Sequence, residues 1–334
     1  MTRPAQPSAQ SARLLCVQPI TLTLFSDPGC PWAYSASPSL STLRWRYGDQ
    51  LDWRLVLIGL TERAQQYVDR GYTPERQARG YRNFRRYGMP FATQPKPRVA
   101  ATSRACRAVI AARMEDPALG DAAFRAIQLM QFTTTLLLDE DADLAAGLRR
   151  VNGLDAVATV GRIDDRDVVR AYEADRALAR TAEGSPTAAQ GKAASTDGPV
   201  RYTAPSVVFE RDGQRLEAGG FQTMDAYDVL IANMDPTLDR RAAPSDPLEA
   251  LEEAPFGLAT AEVAEIMRTG PHPADQGAAE EALIEAAARG DVVRVPTGDD
   301  AIWLAASYVD DSARFVRASS IAAASGVVPS VAAS

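Results

Sequence analysis

Histidine and cysteine are the scarcest reactive residues in this chain of 334: His272 stands alone, and the cysteines are Cys16, Cys30 and Cys106. A single histidine gives a metal site no second imidazole and gives a serine triad little to build on. His272 lies in the turn-like run Gly270-Pro271-His272-Pro273, far along the chain from Cys30. A Cys–His dyad needs hydrogen-bond reach, so it has no support here. Three cysteines do not make a disulfide framework; a sparse, odd count suits a reducing compartment with one or two working thiols. No apolar run approaches the roughly 20 residues that cross a bilayer, and no glycine-rich phosphate loop is present. Positive charge is also in deficit. The formal net charge of −7 argues against bulk affinity for nucleic acid or an anionic membrane. Met1 to Ala12 lacks the apolar stretch of a signal peptide and reads as a disordered leader. From these absences we expect a cytoplasmic protein with no metal and no tightly bound cofactor.

What is present is ordinary globular material: 46% hydrophobic and 24% charged residues, with length for two or three domains. Ile20 to Phe25 is apolar and β-branched, as a strand requires, and Ser26-Asp27-Pro28-Gly29 ends it. Pro31 then suits the first turn of a helix, where its missing N–H is not needed. Helical spacing continues from Tyr34 to Tyr47, and Asp52 to Ile58 reads as a second strand. From about Thr73 to Arg180 the patterns are mostly helical, with helices expected over Arg98–Met114, Pro117–Phe132, Asp139–Val151 and Asp164–Arg180. The acids Asp139-Glu140-Asp141 and Asp164-Asp165 read as helix-start residues and not as metal ligands. Gly184 to Gly198 reads as a loop.

Strands return at Ser206–Glu210 and Arg215–Ala218, joined by the hairpin signal Asp212-Gly213, and Phe221–Met234 closes as a helix. After the linker Pro236–Pro247, the order helix, helix, strand, strand (Thr260–Met267, Gln276–Arg289, Asp291–Val295, Ala301–Ala305) resembles a winged helix. The expected division is a leader at 1–18, a thioredoxin-like domain at 19–60 and 199–235, a helical insertion at 61–198, a winged-helix-like domain at 246–310 and a disordered tail at 318–334. The fold class is therefore α/β: a thioredoxin-like fold with an inserted helical domain, plus a small C-terminal α+β domain.

The chemistry points to Cys30, in Asp27-Pro28-Gly29-Cys30-Pro31-Trp32-Ala33. The thiolate is the nucleophile, and a free cysteine titrates near ~8.5. A helix N-terminus offers unpaired N–H groups and the positive end of a dipole, so we expect the value to be depressed. Cys30 also follows a strand, which puts it at the sheet edge where α/β folds gather ligands. The second feature is Thr203-Ala204-Pro205, just before a strand; a proline is tolerated at that first position.

These pieces resemble the DsbA-like thioredoxin family, and especially its cytoplasmic FrnE-like branch. That branch is related to 2-hydroxychromene-2-carboxylate isomerases and kappa-class glutathione transferases. The resemblance covers about residues 19 to 235. It implies that Cys30 is catalytic and that the bond before Pro205 is cis, turning the preceding backbone toward the cysteine. It further implies that Pro31, Thr203, Ala204 and Pro205 line the binding edge. Of the aromatic residues, Trp32 is the best placed to border the thiol, and Tyr34 reads equally as a donor to a bound sulfur or as a core residue.

Members that handle disulfides carry a second cysteine where this chain has Ala33. The second thiolate normally attacks the mixed disulfide and releases product. Three routes stay open: resolution by a low-molecular-weight thiol, resolution by Cys106 from a helix near the site, or binding of a thiol cofactor's sulfur without covalent turnover. Cys106 reads more readily as a small apolar residue on a helix face, and Cys16 is given no role. The leading expectation is a thiol-disulfide oxidoreductase acting through a mixed disulfide with a small thiol or a protein. The alternatives are a thiol-cofactor-dependent transferase or isomerase, and a non-catalytic thioredoxin-like binding module.

Charge is segregated along the chain. Arg70 to Arg107 carries ten basic residues against Glu75, whereas Ser245 to Asp310 sets fourteen acids against Arg268, Arg289 and Arg294. Most of the basic run reads as a solvated face or a dock for the acidic domain. Arg104 and Arg107, which flank Cys106, are the better candidates for an anion site. So acidic a winged-helix-like unit would be repelled by phosphates. It is expected to be an interaction or dimerisation unit or a lid, so a homodimer enters among the expected partners.

Overall fold

The computed structural model describes residues 18–309 apart from Asp197. Cys16, the leader except for Gln18, and the tail expected over 318–334 lie outside the described residues.

The chain opens with β1 (Ile20–Ser26), whose residues are buried on both faces for most of its length. Short helix α1 (Pro31–Ser35) and then α2 (Ser37–Tyr47) follow, leading into β2 (Leu51–Leu57). The single helix expected here is broken at Ala36. Pro38 has no N–H to give the carbonyl of Tyr34; the Ser37 hydroxyl donates to that carbonyl instead, at 2.8 Å.

The helical stretch comprises α3 (Gln65–Asp69), α4 (Pro74–Phe84), α5 (Ser103–Glu115), α6 (Pro117–Thr133), α7 (Asp141–Leu148), α8 (Ala156–Gly161), α9 (Arg166–Ala179) and α10 (Pro186–Ala189). α5 starts later than expected because the preceding donors are already used. The Ala101 N–H donates to Asp139, and the Thr102 N–H to the Thr61 carbonyl. The apolar faces of α5 to α9 close on one another around Val109, Ile110, Ile127, Leu144 and Val168.

The segment expected as a loop holds α10 and β3 (Ala193–Ala194), which pairs with β4 (Arg201–Tyr202). Then come β5 (Ser206–Arg211) and β6 (Gln214–Gly219). Asp212 and Gly213 both have positive φ, 51° and 81°, as the tight two-residue hairpin turn demands. The sheet order is β2-β1-β5-β6, with β1 parallel to β2 and antiparallel to β5. Helix α11 (Met224–Met234) packs on it beside α2, sharing a core with Leu22, Leu43 and Phe209.

The C-terminal unit runs α12 (Pro247–Glu252), β7 (Leu258–Ala259), α13 (Thr260–Ile266), α14 (Gln276–Arg289), β8 (Val292–Thr297) and β9 (Asp300–Ala305), with sheet order β7-β9-β8. It keeps the winged-helix-like order and adds α12 and β7. No helix among the described residues is long and apolar enough to cross a membrane.

Candidate active site

Cys30 is the N-cap of α1, in extended conformation, with Pro31 at the first helical position. The strand that precedes it is central in the sheet, so the cysteine is carried to the sheet's edge. Its Sγ donates to the carbonyl of Ala204 at 3.1 Å. The Ala204–Pro205 bond is cis, as the resemblance implies, and leads into β5. The two features singled out 174 residues apart thus meet in one hydrogen bond.

Around this pair the surroundings are apolar: Phe25, Ala33, Val56, Ile58, Tyr202 and Val208 share a core with Cys30 and Ala204. Cys30 is only 7% exposed. Burial pushes its thiol up to about 11, and the charge of Asp27 adds to this. The N–H groups of Ala33 and Trp32, and the more distant charge of Arg201, pull the other way without prevailing. The expected depression is therefore corrected. The helix N-terminus acts as anticipated, but desolvation of the anion is the larger effect.

Asp27 is fully buried and gathers four donors. Oδ1 accepts from the Gly29 N–H at 2.8 Å. Oδ2 accepts from the Leu60 N–H at 2.8 Å, the Thr102 hydroxyl at 3.0 Å and the Cys106 thiol at 3.6 Å. Burial still holds its carboxyl above the ordinary value. One carboxylate thereby ties the cysteine turn to the start of the insertion and to α5. Gly29 is needed at this junction, since a Cβ there would lie 2.6 Å from the Thr102 methyl.

The model of the DsbA-like thioredoxin domain matches residues 21–199, more than half of the chain. The chain belongs to the DsbA-like thioredoxin family. Among solved structures, a Nitrosomonas europaea protein provisionally named a disulfide isomerase aligns with TM-score 0.50 at 18% identity, over 65% of this chain and 97% of its own. The cytosolic disulfide reductase DsbM of Pseudomonas aeruginosa aligns with TM-score 0.47 at 21% identity, over 65% of this chain and 100% of its own. No curated protein matches the sequence. The family assignment stops short of the FrnE-like branch.

Within this DsbA-like frame the other candidates divide. Trp32 is half-exposed and rests edge-on against Phe84 and Phe221, with Tyr87 beside it. Thr203 gives its carbonyl to the Ser206 hydroxyl, so the free contact edge is narrower than expected. Tyr34 does not reach the thiol's surroundings. It is fully buried, stacks on Phe132, and its hydroxyl donates to the Pro90 carbonyl at 3.0 Å. It is a core residue.

Cys106 is fully buried as well, and burial together with Asp27 holds its thiol well above the ordinary value. Its sulfur faces Asp27. Arg104 forms a two-pronged pair with Asp141 and also reaches Asp164, and Arg107 pairs with Asp164 at 2.6 Å. Their charges are spent on the helix-start acids, which corrects their reading as an anion site. Arg201 and Tyr67 were not picked out from the sequence. Arg201 is nearly buried, donates to the Tyr202 carbonyl and acts electrostatically on Cys30. Burial, and after it the charge of Asp27, hold the Tyr67 hydroxyl well above its ordinary value. The position of Arg201, two residues before Thr203, was the available signal.

Proposed function

We propose that this protein is a thiol-disulfide oxidoreductase that works through Cys30 alone, forming a mixed disulfide with a small thiol or a protein in the cytoplasm. The observation that carries the reading is the contact of the Cys30 sulfur with the Ala204 carbonyl beside cis-Pro205. It sets the one sulfur of the motif against a backbone edge that a bound disulfide can align with. In the reaction, Cys30 loses its proton and its sulfur attacks a disulfide R–S–S–R. A Cys30–S–S–R bond forms as the R–S⁻ leaving group takes up a proton. A second thiolate then attacks the R sulfur, a new small disulfide leaves, and Cys30 is regenerated. Ala33 supplies no sulfur for that second step. Cys106, buried and turned to Asp27, is not poised for it. An external thiol fits both facts. The FrnE-like branch is the part of the family that this reading favours.

The test is mass spectrometry after incubation with 2-hydroxyethyl disulfide. One adduct is expected, on Cys30, removed by reductant, lost in Cys30→Ser and kept in Cys16→Ser and Cys106→Ser. Modification of Cys16 instead, no adduct at all, or a Cys30–Cys106 crosslink would overturn the single-cysteine route.

A further inference from the structure

A cavity of about 350 Å³ lies between α2, α6 and the C-terminal unit, at the lower end of the range for small-ligand pockets. Helix α6 turns Asp121, Phe124, Arg125 and Gln128 toward it, the i, i+3, i+4, i+7 spacing of one helical face. Ser26, at the end of β1, and Ala33, one turn beyond Cys30, border it on the active-site side. Exposed Phe256 borders it from the C-terminal unit.

The charged groups here are already matched. Arg125 pairs with the buried Glu262, which also accepts from the Ser41 hydroxyl and the Ala259 N–H. Arg44 pairs with Asp121 and lies over the Trp53 ring. Nothing in the lining asks for an ionic partner. Two neutral groups are different. Gln128 is 3% exposed and Ser26 is 2% exposed. Neither the Gln128 carboxamide nor the Ser26 hydroxyl has a hydrogen-bond partner among the described residues. Both groups line the cavity and keep a little accessible surface, so a bound molecule can pair them in place of solvent. Gln131, on the same helix, gives its amide to the Tyr81 hydroxyl and keeps a buried, unpartnered carbonyl oxygen away from this cavity.

We infer that this cavity is a binding site for a small, uncharged, mostly apolar molecule bearing one hydroxyl or carbonyl group. Gln128 and Ser26 read the polar group, and Leu24, Trp53 and Phe124 enclose the rest. The inference does not rest on the chemistry of Cys30, so the two readings fail separately.

Calorimetric titration of the full chain with 2-naphthol tests it. The expected result is one site per chain, weakened about tenfold in Gln128→Leu, the worth of one hydrogen bond. Free Gln128→Leu should melt no lower than the native chain, because the carboxamide it removes is unpaired. Ser26→Ala gives a second, smaller weakening that does not depend on how the first variant folds. Absence of binding at millimolar 2-naphthol would overturn the inference. So would undiminished binding in both variants, or a clear loss of melting temperature in free Gln128→Leu, which would make Gln128 structural.

Discussion

Burial and helix position pull the Cys30 proton in opposite directions, and their balance sets how readily this thiol reacts. With the thiol at about 11, the thiolate is a small fraction near neutrality, so reactivity should climb with pH. The alkylation rate of Cys30 by iodoacetamide, followed on its own peptide, is expected to rise about tenfold per pH unit from pH 7 to 10. A rate already level at pH 7 would contradict it. Because the folded thiol titrates above the ~8.5 of an unfolded cysteine, its contribution to stability is full below that value. It is lost as pH rises toward 11. Asp27 bears on both quantities. In Asp27→Asn an amide nitrogen must face either the Gly29 N–H or the group of donors from Leu60, Thr102 and Cys106. The variant should lose about 1–3 kcal/mol in urea unfolding. The Cys30 alkylation profile should move to lower pH, since the negative charge that holds the proton is gone. Cys30 itself was legible from its run of residues. The apolar shell that overrides its helix position comes from Val56, Tyr202 and Val208, and no local pattern announces that assembly.

At the scale of elements, the first turn of α1 is where this chain parts from a dithiol enzyme. Cys30 caps that turn and buried Ala33 closes it. Ala33→Cys should let an internal disulfide form on oxidation, seen as the loss of two hydrogens in the intact mass. Reduction of insulin should quicken at least about tenfold, because the resolving attack becomes intramolecular. A variant that keeps two free thiols under oxidant would refute this. The strands, the Asp212-Gly213 turn and α6 were legible because each carries its own periodicity or punctuation. Helix α8 was not, since Val157, Thr159 and Val160 are β-branched and favour strands in isolation. It stands because Asp155 caps it, accepting from the Val157 and Ala158 N–H groups. The break between α1 and α2 was written in Pro38, yet the carbonyl it strands needed the Ser37 hydroxyl to make the break stable.

On the scale of the whole molecule, the C-terminal unit is packed into the thioredoxin-like half. Trp45 of α2 lies in the C-terminal core beside Leu251, Val263 and Trp303. Ala259 and Ile302 in turn join Tyr34, Tyr81, Phe91 and Phe132 behind the active-site helix. At the tip of the β8–β9 hairpin, Asp299 accepts from the Phe91 N–H at 2.6 Å and pairs with Arg85 at 2.5 Å. Gly298 beside it has φ +61°, and a Cβ there would press on the Phe91 backbone at 3.0 Å. Among the described residues, the basic run meets the acidic unit's charges in the Arg85–Asp299 pair. Sequence reading gave the charges but not this address, which depends on two hairpin residues meeting a loop more than two hundred positions away. The consequence is cooperative unfolding. Trp fluorescence and far-UV circular dichroism should trace a single urea transition, since the C-terminal core takes in Trp45 and the cluster around Tyr34 and Phe91 takes in Ala259 and Ile302. Asp299→Ala leaves the Phe91 N–H without its acceptor and the Arg85 guanidinium without its counterion. It should lower stability by about 1–3 kcal/mol while keeping the transition single. Two separated transitions in the native chain would mean that the C-terminal unit folds by itself and that the shared core contributes little.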